Sequence, residues 1–206
     1  MFSLLEYVFD SLTPRRRAEK VLFLGLDGAG KTTLIEALKV SNSERSSPKL
    51  SANQPTVGLN VSHTEIRGKS VILLEVGGGE SIRSIWHHYY NEATKIIFVV
   101  DGSDAARFGD SQRAFTRVLG TSAEMVRRFS KTFVRFFLDT AETIKHLDIQ
   151  ILLVSNKIDV LTPEEAVIVE QSIAGFVPQD EGRTDFCPCS GMDADNLSNL
   201  IEWIVR

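Results

Sequence analysis

Gly25-Leu26-Asp27-Gly28-Ala29-Gly30-Lys31-Thr32 sets two glycines around four residues and ends in Lys-Thr, with Thr33 next. That spacing suits a phosphate. Glycines let successive backbone N–H groups turn inward, and a helix beginning at the lysine adds its positive end. Lys31 would bring a point charge to the β- and γ-phosphates, and Thr32 a hydroxyl to Mg²⁺. A glycine-rich turn before a helix is the bland alternative, and the flanking elements weigh against it. A second cluster, Asn156-Lys157-Ile158-Asp159, follows an apolar run. A carboxylate at Asp159 can accept from guanine N1–H and N2–H₂. Adenine offers no such pair of donors and would leave the acid unpartnered. Alone the tetrapeptide is often a surface turn; in register with a phosphate loop it points to guanine.

Both clusters need a scaffold that brings them to one edge. Val21–Leu24 reads as a strand entering the loop, and Thr32–Val40 has helical periodicity. Val57–Ile66 and Val71–Val76 read as a hairpin turning at Gly68-Lys69. Ile96–Val100 and Ile149–Ser155 are continuous apolar runs, as in a parallel sheet covered on both faces. Ser198–Arg206 continues a closing helix, with Leu197, Leu200, Ile201 and Ile204 on one face. This alternation predicts an α/β doubly wound sheet, which binds ligands at the carboxyl ends of its strands.

At 206 residues with 43% hydrophobic and 24% charged residues, the chain is expected to form one domain. A net charge of −4 and a pI near 5.6 argue against a nucleic-acid partner. Cys187 and Cys189, expected on opposite sides of an extended chain, should form no disulfide, which fits a reducing compartment. The apolar runs are too short for a transmembrane helix, and Glu6 and Asp10 interrupt the N-terminal one, unlike a secretory signal. A cytoplasmic protein is expected. Residues 1–17 read as an amphipathic helix, with Phe2, Leu5, Phe9 and Leu12 on one side, and a basic linker of Arg15, Arg16 and Arg17. The chain starts Met1-Phe2, without the glycine that myristoylation needs.

With its two motifs the chain resembles Ras-superfamily small GTPases, and the residues between them narrow this to the ADP-ribosylation-factor-like (Arf/Arl) branch. Pro55-Thr56-Val57-Gly58-Leu59-Asn60 is similar to that branch's first switch. The stretch Glu75-Val76-Gly77-Gly78-Gly79-Glu80 through Arg83-Ser84-Ile85-Trp86-His87-His88-Tyr89-Tyr90 is similar to its second, and Cys189-Ser190-Gly191 to its last guanine-contacting loop. The resemblance covers most of residues 20–205. It implies a single P-loop domain, residues 18–206, with a mostly parallel six-stranded sheet and helices on both faces. It also implies GTP/GDP and Mg²⁺ as cofactors, with Thr32, Thr56 and Glu75 (directly or through water) as metal ligands. Gly78 N–H would meet the γ-phosphate, and Ser190-Gly191 the guanine oxygen. Effector, exchange-factor and GTPase-activating proteins are the implied partners of a monomer. Reversible membrane contact through the N-terminal helix in the GTP state, and membrane or ciliary traffic, complete the implied role.

Three departures qualify this. Glu75 stands where the family has aspartate, and its extra methylene is expected to strain an octahedral Mg²⁺ shell. Gly79 replaces the water-orienting glutamine, so no catalytic residue is assigned and slow hydrolysis is expected. Residues 103–147 form an enlarged segment with a helix at Glu124–Leu138. Its Arg127, Arg128, Lys131 and Arg135 make either a solvated face or a docking surface. An active GTPase with a substitute for the glutamine, and more distantly a P-loop kinase, are the competing readings. His87 and His88, adjacent on a helical segment, should face different directions and hold no metal. Cys187-Pro188-Cys189 reads as a loop rim. Trp86, Tyr89 and Tyr90 are equally compatible with core and with an exposed effector patch.

Overall fold

The computed structural model describes residues 18–41, 56, 58–128, 149–177, 184–192 and 197–206, with side chains omitted for 120–128. The N-terminal helix and residues 129–138 of the expected helix lie outside these residues.

Six strands form one sheet in the order β2-β3-β1-β4-β5-β6. They are β1 (Glu19–Gly25), β2 (Leu59–Ile66), β3 (Lys69–Val76), β4 (Lys95–Asp101), β5 (Gln150–Asn156) and β6 (Thr184–Pro188). Only the edge strand β2 runs antiparallel. The helices are α1 (Lys31–Ser41), α2 (Glu80–Arg83), α3 (Phe108–Arg128), α4 (Pro163–Ala174) and α5 (Ser198–Val205). Among the described residues no helix is long and apolar enough to cross a membrane.

The period of two splits the central strands between two cores. Val21, Phe23, Ile97, Val99, Leu152 and Val154 pack under Leu34, Ile35 and Leu38 of α1 and Leu200, Ile201 and Ile204 of α5. Leu22, Leu24, Ile96, Phe98, Val100 and Leu153 face Phe115 and Val118 of α3 and Ile173 of α4. Both faces are covered, which is why these strands read as continuous apolar runs.

Several expectations need correction. Ile66 pairs with Lys69, so the hairpin turns at Arg67-Gly68 and not at Gly68-Lys69. Both turn residues have positive φ (48° and 76°), the backbone that matches strand twist in a two-residue turn. Cys187 and Cys189 share one core, because residues two apart along extended backbone point to the same face; neither is in a disulfide. Cys187 lies in β6, not on a loop rim, and burial pushes its thiol up to about 11. The long helix begins at Phe108, well before Glu124.

Sequence reasoning missed two elements. For α4 a signal existed: Thr162 and Glu165 form a reciprocal capping box with Pro163 at the first helical position. Strand β6 is five residues long and ends in proline, which only an edge strand tolerates.

Candidate functional site

The loop between β1 and α1 closes on its own lysine. Lys31 Nζ, almost fully buried, donates to the carbonyls of Gly25 and Leu26 at 2.9 Å each. Burial pulls its pKa down to about 8, against the countervailing charges of Glu75 and Asp27. An ammonium so poorly solvated is poised for an anion, and a phosphate would restore its charge.

The end of β5 reaches this loop through one side chain. Asn156, 2% exposed, donates from Nδ2 to the Ala29 carbonyl (2.9 Å) and accepts the Gly191 N–H on Oδ1 (3.1 Å). A Cβ on Gly30 would lie 2.3 Å from that Nδ2, and Gly30 has φ of +89°, so position 30 demands glycine twice over. Asn156 is thus a rivet between two loops. Lys157 adopts the left-handed conformation (φ 64°) and pairs with Asp101 at 2.6 Å. Asp159 is exposed, and its Oδ1 accepts from the buried Ser190 hydroxyl at 2.5 Å. The serine thereby fixes the orientation of a carboxylate that can receive two parallel N–H donors.

At the other end three oxygens converge. Glu75 Oε1 accepts from Thr32 Oγ1 (2.5 Å) and Thr56 Oγ1 (3.1 Å), and the two hydroxyls are 3.4 Å apart. Adjacent ligands of an octahedral Mg²⁺, each about 2.0–2.1 Å from the ion, stand roughly 3 Å apart. The triangle therefore fits one face of such a shell, and Glu75 reaches both hydroxyls directly. Glu75 is 1% exposed and its Oε2 has no partner among the described residues, an acceptor that suits a hard cation or its water.

The run Gly77-Gly78-Gly79 links β3 to α2. Gly78 lies on the start of the phosphate loop: a Cβ there would be 2.2 Å from the Leu26 carbonyl carbon and 2.3 Å from Asp27 N. Around a Cβ at Gly79 there is nothing within 4 Å among the described residues. Sequence reasoning had assigned no part in the site to three side chains that border it. Trp86 Nε1 donates to the Gly77 carbonyl (2.9 Å) and Arg83 Nε to the Gly78 carbonyl (2.8 Å). Arg107 Nη2 pairs with the Asp27 carboxylate at 2.7 Å, and Arg83 approaches the same oxygen at 3.6 Å. Its bond to Arg107 is the main reason that the Asp27 carboxyl sits below its ordinary range. Arg83 and Trp86 stood inside a motif already singled out; Arg107 carried no sequence signal.

Trp86 and Tyr90 are core residues, 3% and 5% exposed, and Tyr89 is half-buried, so burial wins over an aromatic patch. His87 and His88 do not diverge as expected: their rings are 4.0 Å apart in the 3₁₀ turn Trp86–Glu92. Among the described residues no three His, Cys, Asp or Glu gather as a metal site.

The ADP-ribosylation factor family model matches residues 5–206. ADP-ribosylation factor-related protein 1 of Rattus norvegicus is 30% identical over 189 residues, spanning 90% of this chain and 83% of that protein. ADP-ribosylation factor J of Dictyostelium discoideum is 32% identical over 145 residues, 68% of this chain and 72% of that one. Among solved structures, the Arl6 BBS3 small GTPase of Trypanosoma brucei, with the nucleotide analogue GppNp bound, superposes with a TM-score of 0.54. It is 23% identical and covers 91% of this chain and 95% of its own.

Proposed function

The chain belongs to the ADP-ribosylation factor family of GTP-binding switches, and from that premise we propose that its output is binding, with GTP hydrolysis slow. In this reading residues 25–33 wrap the phosphates, with Lys31 as their counter-charge. Asp159, oriented by Ser190, reads guanine, and Lys157 and Gly191 shape the base pocket around it. Thr32, Thr56 and Glu75 would hold Mg²⁺, which when bound neutralises charge on the β- and γ-phosphates. Gly78 N–H would meet the γ-phosphate and Thr56 the metal, so GTP would order both segments for an effector to recognise. Exchange and activating proteins would set the state.

One observation carries the reading: Asn156 ties the phosphate loop to the Ser190-Gly191 loop, so phosphate and base contacts form one rigid unit. Slow turnover follows from Gly79, which brings no side chain of its own to orient water and whose Cβ position meets nothing within 4 Å among the described residues. The neighbouring Glu80 is exposed and, as a carboxylate, would repel the γ-phosphate. Membrane contact through residues 2–12, aided by Arg15, Arg16 and Arg17, would place the switch in membrane or ciliary traffic. Flotation on anionic liposomes that depends on the GTP form would support this; equal flotation of both forms would remove it. Competition of unlabelled GTP, GDP and ATP for a fluorescent GDP tests the nucleotide reading. GTP and GDP should displace it and ATP should not; effective ATP would favour the P-loop kinase.

A further inference from the structure

A run of three glycines is a poor way to hold a backbone donor still. Glycine loses more conformational freedom on ordering than any other residue, and it has no side chain to anchor it. Yet Gly78 is buried, and its N–H has no acceptor among the described residues. Buried backbone donors without partners are rare, so this one points to a ligand.

The run is fixed from outside, on its carbonyls. Gly77 N–H donates to the Gly58 carbonyl at 3.0 Å. The Gly77 carbonyl receives Trp86 Nε1 at 2.9 Å, and the Gly78 carbonyl receives Arg83 Nε at 2.8 Å. The peptide between Gly77 and Gly78 is trans and planar, so its C=O and N–H point in opposite directions. Whatever holds the Gly77 oxygen also aims the Gly78 hydrogen. The indole is itself immobile: 3% exposed, edge-on to Phe98 at 6.1 Å between centroids, within the core under β4. Gly78 is pressed against Leu26 and Asp27 on the phosphate loop.

We propose that Trp86 is a positioning residue for γ-phosphate recognition: its indole N–H locks the Gly77–Gly78 peptide so that the Gly78 N–H is presented beside the phosphate loop. The inference rests on the reading of this site as a GTP site. It assigns to a buried tryptophan the difference between GTP and GDP, since only GTP carries the phosphate that this N–H meets. A tryptophan that only filled the core would leave that difference alone.

The test replaces the donor and keeps the ring. Trp86→Phe, and 3-benzothienylalanine at position 86 (an isosteric ring without the N–H), are compared with wild type by competition of GDP and a non-hydrolysable GTP analogue in Mg²⁺. With the donor gone, the preference for the GTP analogue over GDP should fall about tenfold, the worth of one well-placed hydrogen bond, while GDP affinity stays as in wild type. The benzothienyl variant keeps the packing and decides the matter if Trp86→Phe fails to fold. An unchanged ratio, or an equal loss for both nucleotides, overturns the inference and leaves GTP binding intact. Wild-type protein that binds neither nucleotide overturns the site reading itself.

Discussion

The two ends of the candidate site are built in different ways. At the base end every fixed group is a side chain: Asn156 spends both ends of its amide on the backbone of Ala29 and Gly191, Asp159 is held by the Ser190 hydroxyl, and Lys157 by the Asp101 carboxylate. At the γ-phosphate end the groups that matter are backbone, Gly77 to Gly79, positioned by Trp86 and Arg83 from the segment that follows. The first end carries the Asn156-Lys157-Ile158-Asp159 motif, with Cys189-Ser190-Gly191 similar to the family's last guanine loop. The second departs from the family's pattern at Glu75 and Gly79. Mutations at the two ends should therefore fail differently, one in which base is bound and the other in which phosphate state is sensed.

The largest effect belongs to the base end. Asp159→Asn should lower GTP affinity on the order of 10²–10⁴-fold, because two donors lose a charged acceptor, and should gain xanthosine triphosphate, whose C2 carbonyl suits an amide N–H. Competition titrations check this, and unchanged GTP affinity without that gain would dissolve the distinction between the ends. Next comes the metal corner. Glu75→Ala should weaken divalent-cation binding by the GTP complex about 10–100-fold with guanine preference untouched, as read by Mn²⁺ electron paramagnetic resonance. A smaller gain is expected from Gly79→Gln, for which the described residues leave room around position 79. Hydrolysis should rise roughly tenfold, what one hydrogen bond to the attacking water is worth. No gain would mean that something beyond the missing side chain limits turnover.

The smallest effect is a proton. Without nucleotide, Lys31 titrates at about 8, and phosphate should raise its pKa. Nucleotide binding should thus take up about half a proton at pH 8 and almost none at pH 6.5, measured calorimetrically in buffers of different ionisation enthalpy. The sign for stability follows from the same depression. Between about pH 8 and the ordinary lysine value of 10.5 the unfolded chain holds the proton and the folded one does not, so the nucleotide-free protein should gain stability as pH rises through that window. Stability that falls across it would mean Lys31 is better solvated than its burial implies.

What could be read from the chain follows the same divide. The phosphate loop and Asn156–Asp159 were legible because their chemistry requires particular side chains at fixed spacing beside apolar strands. The six-strand sheet followed from resemblance and from the continuous runs of β4 and β5. The anchors of the glycine run were not legible, since a hydrogen bond from Trp86 to a carbonyl nine residues earlier leaves no pattern in composition or period. Trp86 looked equally like core and like surface because aromatic residues are enriched in both settings; its ring is core and its N–H meets the Gly77 carbonyl. Arg107 reaches Asp27 across 80 positions, a pairing that only the assembled sheet creates. Strand β6 was hidden by its length, and the turn at Arg67-Gly68 by an arginine where glycine or asparagine is usual.

The central claim is an intact binding end joined to an impaired hydrolytic one, and a single-turnover experiment addresses both at once. Protein loaded with γ-labelled GTP in Mg²⁺ and freed of excess nucleotide should retain the label against an ATP chase. It should release inorganic phosphate no faster than about 10⁻⁴ s⁻¹, the unaided rate of glutamine-bearing small GTPases. Displacement by ATP, or phosphate release well above that rate, would contradict the account.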